Sequence, residues 1–143
     1  MPFQHILIAL DSTEFSIQTA KRGLGLAHAL DAKAALVFVV DSAKAMGNID
    51  AGISHEEAFI VLKKEAEQTL NQLAALYNGQ GLLKFMPEGH PVAEILGTAS
   101  TWGADLIAMG THARTGLARL FAGSVAEQVL HNAKVPVMVV PMV

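Results

Sequence analysis

An α/β architecture, a single open five-stranded parallel sheet with helices on both faces, is what this chain of 143 residues predicts. Short apolar runs alternate with segments of helical period, and three of the runs stop at Asp11, Asp41 and Gly110. The chain is 52% hydrophobic and only 16% charged, which excludes disorder and asks for a core of more than one layer. A chain of this length buries roughly two-thirds of its unfolded surface, so residues 1–143 are expected to fold as one domain without disulfide or metal staples.

Phe3 to Leu10 is nearly all apolar, as expected of a strand covered on both faces, and Asp11-Ser12-Thr13 supplies helix-start chemistry after it. Ile17, Ala20, Leu24 and Ala27 recur at spacings of three and four, predicting a first helix to about Leu30 that Gly23 and Gly25 weaken. Ala34 to Val40 is the second strand. Ser42 to Ser54 shows no periodicity and reads as a long lid or binding loop.

Ser54-His55-Glu56-Glu57 has capping-box spacing, in which hydroxyl and carboxylate satisfy each other's free amides. A long helix therefore starts there, with Phe59, Leu62, Ala66, Leu70, Leu73 and Tyr77 inward and Asn78-Gly79 as its stop. Leu82 to Met86 is shorter and less apolar, a strand expected near an edge. Pro91 suits the first turn of a third helix, with Val92, Ile95, Ala99 and Trp102 inward and Gly103 beyond. Asp105 to Met109 is the fourth strand, stopped by Gly110. After a loop from Thr111 to Ala122, Ser124-Val125-Ala126-Glu127 repeats the capping-box spacing and opens a short helix to about Ala133, and Pro136 to Val140 is the last strand. Crossovers between parallel strands are right-handed, which places helices over both faces.

Composition removes several function classes. There is no Cys, so disulfide scaffolds, thiolate metal sites and Cys nucleophiles are out. A net charge of −3 argues against a broad nucleic-acid footprint. The longest apolar run, Val135 to Val143, is too short to span a bilayer and is broken by two prolines. Met1 to His5 carries no Lys or Arg ahead of Ile6, so no export signal is read there, and a cytoplasmic location is expected. His5, His28, His55, His90 and His131 are scattered without ligand spacing, and no protein-built metal site is expected.

In open parallel sheets ligands bind at the carboxyl ends of strands, which selects Ala9-Leu10-Asp11, Val39-Val40-Asp41 and Met109-Gly110 with the loop after it. That loop carries Arg114 and Arg119 and enters a helix through Gly123-Ser124. Glycine lets amides approach an anion closely and a helix N-terminus offers unpaired donors, so the segment reads as phosphate-binding. There is no Gly-Lys-Ser/Thr, and Gly23-Leu24-Gly25 lies inside a helix where a dinucleotide fingerprint does not belong. His112 is the one tempting proton carrier, but no nucleophile is paired with it, so no catalytic residue is assigned.

With these residues in place the chain resembles the universal stress protein family over nearly its whole length: Ile6 to Asp11, Val39-Val40-Asp41, Gly89-His90-Pro91, Ala104 to His112, Gly123 to Glu127 and Val135-Pro136-Val137 carry the likeness. The resemblance implies a Rossmann-like fold of the adenine-nucleotide alpha hydrolase type. The family's ATP-binding branch has the pattern Gly, two residues, Gly, nine residues, Gly, then Ser or Thr. Gly110, Gly123 and Ser124 match it, and Ala113 stands in place of the second glycine. The resemblance further implies that Asp11 lies against the nucleoside, that Ala9 and Val39 line the adenine pocket, and that Gly110, the Ala113-Arg114 backbone, Gly123, Ser124 and Val125 hold phosphates. Leu10, Met109 and His112 complete the expected site, with ATP as ligand and Mg carried on its phosphates.

Alternatives stand beside each of these. Asp11 and Ser124 also read as helix caps, compatible with ligand contact, and Glu127 in the first turn of its helix would repel a phosphate unless it points aside. The uncharged segment Val135 to Val143 reads either as a central strand or as an edge strand protected by a second copy, and the family resemblance implies a homodimer through Pro136 to Val140. The expected function is regulatory, through nucleotide-dependent ordering of the Ser42–Ser54 and Thr111–Ala122 loops toward an unidentified protein partner, with at most slow ATP hydrolysis. The alternative is a dimeric interaction protein of the same family that binds no nucleotide. A nucleotidyl-transferring enzyme would need a His-Ile-Gly-His-type signature after the first strand, which Asp11-Ser12-Thr13-Glu14 does not supply.

Overall fold

The computed structural model describes residues 3–11, 14–41, 43, 45, 47–48, 50–77, 81–111 and 125–141. Among the described residues five strands, β1 (His5–Leu10), β2 (Lys33–Phe38), β3 (Leu83–Phe85), β4 (Leu106–Gly110) and β5 (Val137–Val140), alternate with four helices, α1 (Phe15–Ala29), α2 (His55–Ala74), α3 (Pro91–Trp102) and α4 (Val125–Asn132). All strand pairs are parallel and the order is β3-β2-β1-β4-β5. The chain thus moves outward from β1 through β2 to β3, then returns to the other side of β1 for β4 and β5.

Each strand alternates its side chains between two apolar layers. Ile6, Ile8, Leu10, Leu36, Phe38 and Ala108 pack with Ala20, Leu24 and Ala27 of α1 and Ala66, Leu70 and Leu73 of α2. Leu7, Ala9, Ala35, Val37, Ile107 and Met109 pack with Val92, Ile95 and Ala99 of α3 and Ala126 and Val129 of α4. The reversal of direction at β1 puts α3 and α4 on the face opposite α1 and α2, as a constant crossover hand requires. Because both faces are covered, Ile6, Leu7, Ile8, Leu36, Val37 and Ile107 are wholly removed from solvent, and the strands read as continuous apolar runs.

Two helix starts follow the expected chemistry, a third differs, and Ser124, expected to open the fourth, lies outside the described residues. Ser54 caps α2, its Oγ accepting the Glu57 amide at 3.1 Å. Pro91 opens α3, and Gly103 closes it at φ 82°, a left-handed backbone that favours glycine. By contrast α1 begins at Phe15, with Glu14 at the N-cap position and no side-chain cap. Ser12 and Thr13 lie outside the described residues. Ile17, expected inward, is 48% exposed, and its place is taken by Ser16, Thr19 and Gly23, which are buried beside Ala20, Leu24 and Ala27. Gly23 is there for packing: a Cβ on it would lie 2.7 Å from Cγ1 and Cδ1 of Ile8, so its absence lets α1 rest directly on β1.

Strand ends shift by one or two residues. β2 stops at Phe38, and Val40 forms an isolated bridge with Glu88, donating its amide to Pro87 O at 2.8 Å and accepting from the Gly89 amide at 3.0 Å. β4 starts at Leu106 and includes Gly110 because Asp105 is used otherwise: its carboxylate accepts the amides of Gln4 at 2.8 Å and His5 at 3.0 Å, closing the start of β1. The segment read as a long lid or binding loop contains a tight reversal in which Asn48 and Ile53 exchange two backbone hydrogen bonds of 2.7 and 2.8 Å. β5 is an edge strand, so the central-strand reading does not hold. No helix among the described residues is long and apolar enough to cross a membrane.

Candidate functional site

The strand order reverses between β1 and β4, so the crevice outside their carboxyl ends is where this topology leaves room for a ligand. Ala9 pairs with Met109 across that boundary and with Val37 on its other side. Strand alternation then decides which expected residues share a wall. Ala9, 7% exposed, and Met109, 4% exposed, turn toward the α3 and α4 face, and half-buried Val39 packs on the same layer. Leu10 faces the α1 and α2 layer instead, so only its backbone is directed to the strand tip shared by the others.

Asp11 stands just beyond β1 and is held from α1. Its amide donates to Ser16 Oγ at 2.7 Å, and that hydroxyl lies 2.9 Å from both the carbonyl oxygen and Oδ1 of Asp11, so its single proton serves one of the two. Ser16 is 4% exposed, and a buried hydroxyl with such partners is a fixed anchor. Asp11 is therefore tied to the first turn of α1, by its amide and by one of these two oxygens, without capping the helix in the usual manner. Sequence reasoning passed over Ser16; its signal was a hydroxyl on the inward stripe of a helix one turn after a strand-ending Asp.

At the neighbouring tip Gly110 pairs with Val140, and the buried Thr111 donates its amide to Val140 O at 3.2 Å, carrying the sheet one step past the last strand residue. On the other side Asp41 accepts the Ala43 amide at 3.0 Å in a local turn. Three strand ends thus present Asp11, Asp41 and the Gly110-Thr111 backbone at one edge of the sheet.

As the crossover from β4 to β5, α4 begins at this edge, and Val125 is its first residue. The sequence left open whether Glu127 would face a bound anion. Its Oε1 lies 3.7 Å from Nε2 of His131, one turn further along α4. His112, Ala113, Arg114, Gly123 and Ser124 lie outside the described residues, as does the loop from 112 to 122. Among the described residues no group of three or more His, Asp or Glu is gathered that would hold a metal ion.

Comparison with known proteins agrees with the architecture. A sequence model of the universal stress protein family matches residues 2–141. A universal stress protein of Methanocaldococcus jannaschii is 36% identical over 140 residues, covering 96% of this chain and 82% of that protein. Among solved structures, a universal stress protein in complex with cAMP aligns with a TM-score of 0.69 at 20% identity, over 99% of this chain and 98% of that one. The universal stress protein from Archaeoglobus fulgidus in complex with dAMP aligns with a TM-score of 0.63 at 19% identity, over 97% and 98%.

Proposed function

This chain belongs to the universal stress protein family, and from that membership we propose that it binds an adenine nucleotide, ATP, at the carboxyl edge of its sheet and acts as a regulator. The observation that carries this reading is the meeting of Asp11 and Gly110 at the tips of β1 and β4, where the strand order reverses and Ala9 stands in register with Met109. Ala9 and Val39 form the wall for the base, their small or branched side chains leaving room for a flat ring. Asp11 meets the ribose hydroxyls, which a carboxylate fixed by Ser16 is suited to accept. Gly110, His112, Ala113, Arg114, Gly123, Ser124 and the start of α4 at Val125 surround the phosphates, and Mg arrives on the phosphates themselves.

The fit is supported by the small Ala9 at the switch point, in register with Met109. The adenine ligands of the cAMP- and dAMP-bound fold relatives are of the same chemical class. Occupancy would order the segments 42–54 and 111–122 and change a surface read by a protein partner in the cytoplasm. The open edge of β5 pairs with a second copy of the chain in this reading.

Small molecules released from freshly purified, denatured protein are expected to include adenine nucleotide by mass spectrometry. ATP at 100 times its dissociation constant should add about 2.7 kcal/mol of stability, read as a rise in melting temperature. A flat melting response with no released nucleotide would overturn the proposal. It would favour a dimeric interaction protein with an empty crevice, the reading to which Ala113 at a motif glycine position lends weight.

A further inference from the structure

The carboxyl tip of β4 and the edge strand β5 are fastened to each other at the point where the nucleotide reading places phosphates. Gly110 is the β4 partner of Val140, and the buried Thr111 donates its amide to Val140 O at 3.2 Å. The far flank of residues 112–124 is tied to the same strand by another route. There α4 starts at Val125, packs through Ala126 and Val129 on Ile107 and Met109, and leads into β5 through residues 133–136. Both described flanks of that segment are therefore anchored on β5, one by a hydrogen bond and one by the chain itself.

In turn, β5 is held from one side. It pairs with β4 alone, and Pro136 O and Val140 O take the amides of Ile107 and Thr111, which leaves Val137 and Val139 directed to the open edge. Those two positions complement themselves. In an antiparallel pair centred on Met138, each Val137 faces a Val139 of the other copy, and the two residues exchange both backbone hydrogen bonds. Residues 135–143 carry no charge, so a second copy meets no like-charge repulsion there.

We infer that the surface changed by nucleotide occupancy is this edge: ATP at the Gly110 tip and pairing of β5 with a second copy strengthen one another. The inference rests on the nucleotide reading above and names a partner for it. A four-residue strand bonded on one side is easily opened at its end, and opening at Val140 also breaks the bond that fixes Thr111. Phosphates held by Gly110 and the start of α4 order the strand from within, and a second copy orders it from outside. Whichever event comes first leaves less disorder for the other to remove, so the second is tighter. With one site per copy, saturating ATP tightens the dimer by the square of the factor by which dimerisation tightens each site.

The wild-type protein tests this. Labelled ATP in equilibrium dialysis should bind about fivefold more tightly to the dimer than to protein diluted below its dimer dissociation constant, or to monomeric Val139→Pro where dilution does not reach that far. Sedimentation should find the dimer dissociation constant lowered about 25-fold at saturating ATP. Hydrogen exchange followed by NMR should show the Thr111 amide slowed by ATP in the dimer. If monomer and dimer bind ATP equally, or the dimer more weakly, the coupling is overturned and the nucleotide reading stands. A tighter dimer with no slowing at Thr111 overturns the route through Val140, and a wild type that never dimerises overturns the inference alone. A protein that takes up no ATP at any concentration overturns the nucleotide reading and this inference with it.

Discussion

The hydroxyl of Ser16 stands 2.7 Å from the amide nitrogen of Asp11 and 2.9 Å from its Oδ1, so one buried side chain on α1 grips both the backbone and the carboxylate at the tip of β1. This couples the first helix to an acidic residue at the strand-order reversal. Asp11 is thus held at the strand tip by a helix residue five positions later, through its amide and one of its two nearby oxygens.

Ser16→Ala is therefore expected to act twice. Removing the acceptor of the Asp11 amide should cost about 1–2 kcal/mol in urea unfolding, and freeing the carboxylate should weaken ATP in calorimetry. Asp11→Asn keeps an Oδ1 acceptor for the Ser16 hydroxyl, so its stability should change by less than its nucleotide affinity. If Ser16→Ala leaves both quantities as in the wild type, the grip has no energetic consequence.

Two glycines one turn or less apart in α1 should respond with opposite signs. Gly23→Ala drives a methyl to 2.7 Å from Ile8 and should destabilise by about 1–3 kcal/mol despite better helix propensity. Gly25→Ala meets nothing within 4 Å and should stabilise by about 0.5–1 kcal/mol. Equilibrium denaturation of the two variants side by side checks the contrast; equal effects would refute the packing role of Gly23.

For β5 the test is directional. The carbonyls of Pro136 and Val140 accept the amides of Ile107 and Thr111, so even-numbered residues pair inward and Val137 and Val139 turn their amides to the open edge. Val139→Pro removes an outward donor while sparing the ladder to β4. Light scattering should find the wild type dimeric and this variant monomeric, with circular dichroism unchanged. A dimer that survives the substitution pairs through some other surface.

The local elements were legible because they are written in short-range patterns. Ser54 with Glu57, Pro91 with Gly103, and the inward stripe Ala66-Leu70-Leu73 each satisfy a need met within one or two turns. Misreadings fell where a distant partner overrode the local signal. Asp105 reads as the first residue of an apolar strand, yet its carboxylate serves amides a hundred residues earlier at the start of β1. Ile17 has the spacing of a core residue but is turned outward, because Gly23 and the Ser16 anchor rotate α1 onto a different stripe. Of the candidate site, Asp11 and Gly110 could be picked as strand ends, while Ser16, the partner that holds Asp11, could not.

By itself, then, the sequence determined the type and order of the described elements, the doubly covered sheet and the family resemblance, since apolar period, capping residues and glycine spacing are properties of neighbouring residues. Only the tertiary structure decided that β4 returns beside β1, that β5 lies at an edge, and that Ala9, Val39 and Met109 share one wall while Leu10 does not. Strand order and facing arise from which apolar surfaces bury one another across long stretches of chain, and the free energy of that burial belongs to the assembled layers and to no single segment.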